Sequence, residues 1–582
     1  MSADLQDVAA ALERAQQALL LQRNEQGAFR GHLSDSALST ATALVALHAV
    51  DHRAHARRIE AAASWLEANQ NQDGGWGDTT LSGSNLSTTL LVHSALLLVG
   101  RRNSGSEAWV RQRVGSLEPE AVALAVIGRY GRDRTFSVPI LMLCAHCGFL
   151  GPRGWDLVLA LPYELAALPR SWFGAIGLPV VSYALPALIA IGRARQVQRP
   201  GPWWSPLRWI RHLCWEAVSP LLWRMQPSSG GYLEATPLTS FVLIALINAQ
   251  EGNHPALLPA VRFLCASQRD DGAWPIDSDL ATWGTTLACK ALGQGSEETW
   301  AWLLGQQSRS EHPFTGAAPG AWAWTDLPGG VPDADDTSGA LIALRQIADR
   351  PKAAAAATQG LRWLRDLQNR DGGIPTFCRG WGALPFDRST PEITAHALLA
   401  MSLWRDSLRG GRESQGQRVV DRALRYLQRT QAADGSWLPL WFGNEAAQGE
   451  NNPVYGTAAV LQYLGAEGQL AQQARDLMIK GRAYLLAAQG RDGGFGGEAG
   501  LRASIEETAM ALLALVGGPA DCREAAERAL GWLLRQTQGG RQWAAAPIGL
   551  YFARLWYFER LYPMVWGVQA LRMSVLQRLV PR

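Results

Sequence analysis

Three aspartates stand within four residues in the segment Asp333-Ala334-Asp335-Asp336. Like charges this close resist simultaneous ionisation, so at least one carboxyl group tends to keep its proton and can serve as an acid. The surrounding sequence is apolar and rich in tryptophan. A protonated carboxyl group facing an apolar pocket can protonate an electron-rich group such as an alkene. The cluster therefore predicts acid chemistry on a nonpolar substrate.

The composition indicates a large apolar interior. Of 582 residues, 47% are hydrophobic and 18% are charged, and 25 are tryptophan. This length allows two or more domains with substantial cores. The net charge of +3, with no long basic run, argues against nucleic acid as a partner.

The cysteines and the N-terminal segment favour a reducing cytoplasm. Seven cysteines at irregular spacing do not suggest a disulfide framework, and the first 17 residues predict an amphipathic helix rather than a signal peptide. Cys144 and Cys147 flank His146, but no second ligand pair lies at a zinc-site spacing. Buried thiols in an apolar helix are the preferred interpretation, and no metal site is predicted.

Two segments have the composition of membrane-contacting sequence. Residues 173–192 are uncharged and about long enough to cross a bilayer, but Pro179 and Pro186 interrupt them. Residues 203–225 mix Trp and Leu with Arg and His, which is typical of a surface in the membrane interface. We favour a monotopic protein that enters one leaflet, and core helices of a large α-domain are the alternative.

An internal repeat organises most of the chain. Each copy has an aromatic-Leu pair, a Gln and an Asp-Gly turn, as in Tyr426-Leu427, Gln431 and Asp434-Gly435. The copies are 65–76, 263–274, 363–374, 426–437 and 484–495, with degenerate versions near 22–29, 302–322 and 532–543. The glycine suits a left-handed turn that closes a helix, and apolar runs of helical length flank each turn. An all-α array of helical hairpins is therefore predicted, with Gln and Trp clamping neighbouring outer helices.

This repeat, together with the Asp-x-Asp-Asp segment, resembles the class II terpene cyclases and most closely the squalene-hopene cyclase family. The resemblance covers nearly the whole chain. It implies two α/α-barrel domains, with residues 31–275 inserted as a domain with membrane-facing segments. Residues 1–30 and 276–582 would form the catalytic domain that contains the acidic motif.

The resemblance assigns roles to the acidic cluster and to a histidine. Asp335 would be the proton donor, with Asp333 and Asp336 as partners that strengthen it. His396 matches the family histidine that hydrogen-bonds into the motif, and Glu392 matches the carboxylate that orients this histidine. An imidazolium beside the cluster would stabilise the carboxylate left after proton transfer.

Further residues are implied for substrate binding. Those carried over as cavity lining are Trp283, Trp324, Phe377, Trp441, Tyr455, Tyr183, Tyr551 and Phe558. Glu234 or Thr236 would position a base or water that quenches the final cation, and a solvated glutamate or a helix cap is the open alternative. The chain departs from the family pattern at several cavity positions, for example Leu91 and Leu555, so the number of rings closed stays open.

The resemblance implies a peripheral enzyme on the cytoplasmic side of the cell membrane. It would convert squalene or a squalene-like linear isoprenoid into a polycyclic triterpenoid and would need no metal or redox cofactor. A homodimer is left open. The alternatives are a class II diterpene cyclase acting on a prenyl diphosphate and a non-catalytic α/α-barrel scaffold that binds prenyl chains. A protein-prenyltransferase-like subunit is disfavoured because its zinc ligands cannot be assembled from this sequence.

Overall fold

A computed structural model describes residues 4–131, 134–169, 172, 185–313, 315–347, 350–377, 379, 385–405, 413–551 and 555–579. Helices dominate this part of the chain, so the predicted all-α class is confirmed. The first eleven helices are α1 (Leu5–Leu20), α2 (Ala37–Asp51), α3 (Ala56–Ala68), α4 (Leu86–Leu98), α5 (Ser104–Val114), α6 (Pro119–Tyr130), α7 (Arg134–His146), α8 (Leu185–Gln198), α9 (Pro206–Met225), α10 (Thr236–Asn248) and α11 (Leu257–Ser267).

Twelve more helices and two short hairpins follow in the described residues. The helices are α12 (Ala281–Leu292), α13 (Glu297–Gly305), α14 (Ala334–Leu344), α15 (Arg350–Leu367), α16 (Pro391–Leu403), α17 (Glu413–Thr430), α18 (Pro453–Gly465), α19 (Gly468–Gln473), α20 (Arg475–Ala488), α21 (Ile505–Leu515), α22 (Ala520–Gln536) and α23 (Leu561–Leu579). Strands β1 (Trp322–Ala323) and β2 (Pro332–Asp333) pair antiparallel, as do β3 (Gly549–Tyr551) and β4 (Leu555–Tyr557).

The helices form two closed rings. In the first ring α2, α4, α7, α8 and α10 pack side by side, and α10 returns to α2. In the second ring α12, α14, α16, α18, α21 and α23 do the same, and α23 returns to α12. The inner helices are apolar nearly all round because both of their sides are covered. Outer helices such as α15 and α17 have one polar face.

The N-terminal helix belongs with the second ring, because α1 packs against α23. The buried side chains of α1 are Val8, Ala11, Ala15 and Leu19, which form one helical stripe. The predicted α/α-barrel architecture is confirmed. The domain boundaries at residues 31 and 275 stay predictions.

Each repeat ties three chain segments together, as the Gln431 copy shows. The Gln431 side-chain amide donates to the Gly435 carbonyl at 2.9 Å and to the Leu477 carbonyl of the next outer helix at 3.0 Å. Trp437 Nε1 donates to the Leu427 carbonyl at 2.9 Å. The predicted hydrogen-bonded clamp is confirmed, and Gln268, Gln368 and Gln489 repeat it. These bonds tie the turn of each copy to the first half of a neighbouring outer helix.

The turn glycine is required by its backbone and by its neighbour. Gly435 has a φ of 92°, a region that favours glycine. A Cβ at this position would lie 2.3 Å from the Lys480 carbonyl oxygen. The Asp-Gly turn therefore sets how closely two outer helices approach.

One copy of the repeat escaped the sequence analysis. The Gln226 amide donates to the carbonyls of Gly230 and Ala256, both at 2.9 Å, as in the other copies. Tyr232 takes the place of tryptophan, and its hydroxyl donates to the Leu222 carbonyl at 2.9 Å. The copy was missed because it has Ser229 before the glycine instead of Asp.

The two segments predicted to contact a membrane have different outcomes. Residues 173–184 lie outside the described residues. Helix α9 exposes large apolar side chains along its length, including Leu213 at 72%. Within the described ranges, no helix combines the length and the apolar character needed to cross a bilayer.

Candidate active site

The acidic cluster occupies the first turn of the inner helix α14. Asp333 caps this helix, because its Oδ1 accepts the Asp336 backbone N–H at 2.8 Å. Thr337 Oγ1 donates to the Asp333 carbonyl at 2.5 Å and accepts the backbone N–H of the repeat residue Trp322 at 3.1 Å. Trp322 also pairs with Asp333 in the β1–β2 hairpin. The repeat scaffold therefore fixes the acidic segment directly.

Asp335 forms a close pair with His396. Asp335 Oδ1 lies 2.6 Å from His396 Nδ1, and α14 packs against α16, which carries the histidine. The His396 side chain is 2% exposed and the Asp335 side chain is 19% exposed. Burial lowers the pKa of His396, and the Asp335 carboxyl group opposes that effect. The pair therefore places the Asp335 carboxyl group against a buried imidazole.

The flanking aspartates are buried and tend to stay protonated. Burial raises the pKa of Asp333 to about 8, and the nearby charge of Asp335 adds to the increase. Burial and then the charges of Asp333 and Asp335 raise the pKa of Asp336 well above its usual value. Asp333 Oδ2 and Asp336 Oδ1 have no hydrogen-bond partner among the described residues. The cluster can therefore hold protons near neutral pH.

An aromatic cavity of ≈ 80 Å³ lies against all three carboxyl groups. Its described lining consists of Leu280, Trp283, Trp324, Asp333, Asp335, Asp336, Thr376, Phe377, Trp441, Phe442, Tyr557 and Tyr562. Phe377 meets Trp324 and Trp441 edge to face, with ring centroids 5.8 Å apart in each pair. Trp283 also reaches the His396 ring, at 6.2 Å. The cavity, below called the acid cavity, thus brings Trp283, Trp324, Phe377 and Trp441 together with the acid.

The other predicted lining residues are placed differently. Tyr455 is buried behind the lining residue Phe442 and stacks on it at 4.1 Å. Phe558 lines a second cavity of ≈ 540 Å³ near His32 and Arg560. Tyr183 lies outside the described residues, and Tyr551 ends strand β3 with its side chain outside the description. A lining role for these four residues stays a prediction.

Glu234, Thr236 and Glu392 have structural partners. Glu234 is buried and accepts the Ser229 hydroxyl at 2.6 Å and the Gly329 N–H at 2.7 Å, which holds the loop leading to β2. Thr236 begins α10 and is also buried. Glu392 accepts the Leu440 N–H at 2.7 Å, next to Trp441, and lies one turn before His396. Their predicted roles in quenching and in orienting His396 stay predictions.

Several site residues were missed by the sequence analysis. Tyr557 and Tyr562 line the acid cavity, and their hydroxyl oxygens lie 3.2 Å apart. Tyr463 stacks on His396 with ring centroids 4.2 Å apart. Tyr463 follows Tyr455 by eight residues, a spacing that returns to the same face of a helix, so this signal was present. Lys290, whose Nζ lies 4.9 Å from the Tyr463 ring centroid, had no recognisable motif.

The Cys144 to Cys147 segment contains buried thiols. Both thiols are buried in or beside α7, and burial raises the pKa of each. His146 Nδ1 contacts the Asn248 side chain instead of a thiol. Within the described residues, no group of three or more His, Cys, Asp or Glu side chains is arranged to hold a metal ion.

Known proteins resemble this chain over most of its length. The family "squalene-hopene cyclase C-terminal domain" matches residues 280–573, and "squalene-hopene cyclase N-terminal domain" matches residues 12–184. Squalene–hopene cyclase of Alicyclobacillus acidocaldarius is 26% identical over 542 residues, with 78% of each chain covered. Drimenyl diphosphate synthase of Streptomyces showdoensis is 28% identical over 319 residues, which covers 53% of this chain and 52% of that protein.

A solved structure shares the fold. The ent-copalyl diphosphate synthase of Streptomyces platensis superposes with a TM-score of 0.55 at 19% identity. The match covers 98% of this chain and 99% of that chain. Both ring domains are therefore present in a protein of known structure.

Proposed function

Because this chain belongs to the squalene-hopene cyclase family of class II terpene cyclases, we propose that it protonates a terminal alkene of squalene or a squalene-like linear polyprene and cyclises it to a polycyclic triterpenoid. The observation that carries this proposal is the Asp335–His396 pair, which stands at an aromatic cavity. Among the described residues that line this cavity there is no Lys or Arg. The lining suits a hydrocarbon better than an anion.

The first step moves one proton from the enzyme to the substrate. The O–H bond of Asp335 breaks, and its electron pair stays on the carboxylate. The alkene π electrons form the new C–H bond, which leaves a tertiary cation on the neighbouring carbon. His396 holds Asp335 in place through Nδ1 at 2.6 Å, and a hydrogen bond from this nitrogen stabilises the carboxylate that forms.

The aromatic lining protects and stabilises the cation. Ring faces attract a cation by about 0.5 to 2 kcal/mol each without forming a bond to it. Trp283, Trp324 and Phe377 are all less than 9% exposed, so little water reaches the cation near the acid. Ring closure by the next alkene of the substrate then competes well with capture by water.

The exposed face of α9 supports delivery of a lipid-soluble substrate. Trp203 and Trp204 are 71% and 68% exposed, and Trp209, Ile210 and Leu213 continue the apolar surface along α9. Exposed apolar patches of this kind mark membrane or protein contact sites. Arg208 and Arg224 flank these side chains, as in helices that lie in a membrane interface. We infer peripheral attachment through this face, which can be measured by vesicle binding.

A prenyl diphosphate is the second candidate substrate. A specific observation favours it: a relative with 28% identity is a synthase named for a diphosphate product, drimenyl diphosphate. A diphosphate group would need cationic side chains at the end of the bound substrate that lies far from Asp335. The acid cavity serves either substrate, because both present an alkene to the acid.

Incubation of the purified protein with each substrate separates the candidates. Squalene, geranylgeranyl diphosphate and farnesyl diphosphate are supplied separately in detergent, and extracts are examined by gas chromatography and mass spectrometry, after phosphatase treatment for the diphosphates. We expect a cyclic triterpene from squalene that is absent with the Asp335→Asn variant. A product from a diphosphate alone would replace the first candidate with the second, and no cyclic product from any of the three would overturn both.

A further inference from the structure

Lys290 is an unusual cation for this chain. Lysine occurs only at positions 290, 352 and 480, and every other basic side chain apart from the histidines is arginine. Lys352 and Lys480 are exposed, whereas Lys290 is partly buried in the last turn of the inner helix α12. Burial lowers the pKa of Lys290 to about 8, and the Asp335 carboxyl group opposes the decrease. A charge buried beside an active site needs an explanation, because its desolvation costs stability.

A short chain of contacts leads from Lys290 to the acid. Lys290 Nζ lies 4.9 Å from the ring centroid of Tyr463 on α18. The Tyr463 ring stacks on the imidazole of His396 at 4.2 Å with an interplanar angle of 13°. His396 Nδ1 lies 2.6 Å from Asp335 Oδ1. Tyr463 therefore contacts both the ammonium group and the imidazole.

A salt bridge within the described part of the chain does not explain this lysine. Among the described residues, no carboxylate oxygen lies within 4.0 Å of Lys290 Nζ. Its charge is nonetheless felt at the site, because it lowers the pKa of His396. The Lys290 ammonium group therefore lies close enough for its charge to act on the acid pair, and the Tyr463 ring contacts both the ammonium group and the imidazole.

We propose that Lys290 is a positioning residue whose ammonium group, held against Tyr463, stabilises the Asp335 carboxylate that remains after the proton has moved to the alkene. The proposal rests on the proposed role of Asp335 as the proton donor. In the transfer the carboxyl group changes from neutral to negative, so a fixed positive charge nearby favours the product side of the step. The charge does not change the binding of a hydrocarbon.

Charged or titratable side chains among the described residues lie around Lys290 on four helices. They are Asp335 on α14, His396 on α16, Tyr463 on α18 and Arg572 on α23, whose guanidinium packs against Gly293 at the end of α12. Arg572 keeps its charge throughout the working range. As the pH rises through about 8, Lys290 loses its proton and the carboxylate loses its support. Turnover should therefore fall on the alkaline side.

The test compares Lys290→Met, Lys290→Arg and the exposed control Lys480→Met. We expect Lys290→Met to lower kcat about tenfold at pH 6.5 and to leave KM unchanged. A tenfold decrease corresponds to a loss of about one pKa unit in the acid strength of Asp335. Lys290→Arg should keep kcat within about threefold and extend activity to higher pH, because a guanidinium stays charged. Lys480→Met should behave as the wild type, since Lys480 is exposed. Equal kcat and equal pH profiles in all four proteins would overturn the proposal.

A second measurement does not depend on turnover. In protein labelled with ¹⁵N-histidine, the His396 imidazole signal is identified with His396→Phe and titrated in wild type and in Lys290→Met. Removal of the lysine charge should raise the pKa of His396, and no change would contradict the proposed field. If the wild type shows no turnover but the pKa of His396 still rises in Lys290→Met, the result counts against the proposed substrate. The proposed effect of the Lys290 charge on the acid pair is then still supported. Thermal melting of both proteins shows whether Lys290→Met has simply unfolded.

Discussion

Helices α14 and α21 of the second ring both begin with buried acidic groups, and of these two only α14 has such groups in the described lining of the acid cavity. Helix α14 begins with Asp333, Asp335 and Asp336, and α21 begins with Glu506 and Glu507. Burial raises the pKa of Asp333 and of Glu506 to about 8 and that of Glu507 to about 7. Buried carboxyl groups that retain protons are therefore common to both helices.

The difference lies in what surrounds each carboxyl group. Glu507 Oε1 accepts amide N–H groups from Asn444 at 2.8 Å and Asn452 at 2.9 Å, and its Oε2 accepts the Ser504 hydroxyl at 2.8 Å. Asp333 Oδ2 and Asp336 Oδ1 have no such partner among the described residues, and neither has Glu506 Oε2, but of these groups only the two aspartates belong to the described lining of the acid cavity. A raised pKa keeps the proton on a buried carboxyl group near neutral pH. Open space beside the carboxyl group is needed as well before that proton can be passed to a substrate.

The largest expected effect comes from Asp335, the proposed proton donor. Asp335→Asn should lower kcat by a factor of about 10³, within the range for loss of a general acid, because an amide cannot protonate an alkene. The matched control is Glu507→Gln, which replaces a buried carboxyl group outside the described cavity lining and should retain activity. Product formation measured by mass spectrometry checks both. Full activity in Asp335→Asn, or an equal decrease of kcat in the two variants, would contradict the proposed difference between α14 and α21.

His396→Phe is the next test in order of size. A phenyl ring can keep the stacking on Tyr463 but cannot hydrogen-bond to Asp335. We expect kcat to fall by about 10²-fold, the lower end of acid-catalysis effects, with little change in KM. The corresponding change beside α21 is Asn452→Leu, which removes the hydrogen bonds of Asn452 to Glu507, to the Gly443 carbonyl and to the Tyr455 N–H and should lower stability instead. Similar kinetic losses in both variants would contradict the comparison.

Aromatic side chains also differ between the acid cavity and the repeats. Phe377 lines the acid cavity, whereas Phe495 takes the tryptophan position in a repeat and is fully buried. Phe377→Leu should lower kcat by about 2- to 30-fold, the loss of one cation–π contact, and should change the product mixture. Phe495→Leu should lower the melting temperature while the product mixture stays as in the wild type. A changed product mixture in Phe495→Leu would show that repeat aromatics also shape the reaction.

The smallest effect is a pH-dependent stability. The folded-state pKa of Glu507 is about 7, above its value of about 4.3 in an unfolded chain. Its contribution to the free energy of unfolding is thus fully present below about pH 4 and lost as the pH rises through 7. The glutamine in Glu507→Gln does not ionise, so the free energy of unfolding of this variant should exceed that of the wild type by about 1 to 3 kcal/mol at pH 8. Melting temperatures at pH 5 and pH 8 measure it, and a gain that does not grow with pH would refute the assignment.

The repeats and the acid pair could be predicted from sequence because their signals are local. The Gln431-to-Trp437 pattern lies within seven residues, and its predicted clamp is present. Asp335 and His396 stand in short motifs, and the structure brings them to 2.6 Å. The Gln226 copy was missed because Ser229 replaced the usual Asp before the glycine.

Residues without a motif could not be assigned before the helices were packed. Phe558 was predicted to line the acid cavity, and the structure places it at a second cavity, four residues before Tyr562. Lys290 and Tyr463 are separated by 173 positions in sequence and meet only because α12 and α18 belong to the same closed ring. Glu234 was predicted to position a quenching base, which stays a prediction, and only the structure shows that it holds the loop at Gly329.

The sequence by itself determined the helical repeats, the family and the chemical type of the acid. These properties depend on residue type and on spacing within one or two turns, which the chain encodes directly. The tertiary structure decided which buried carboxyl groups face open space, which rings surround them and which lysine charge reaches them. Those properties depend on contacts between helices far apart in the chain, because burial and electric fields are set by neighbours in space.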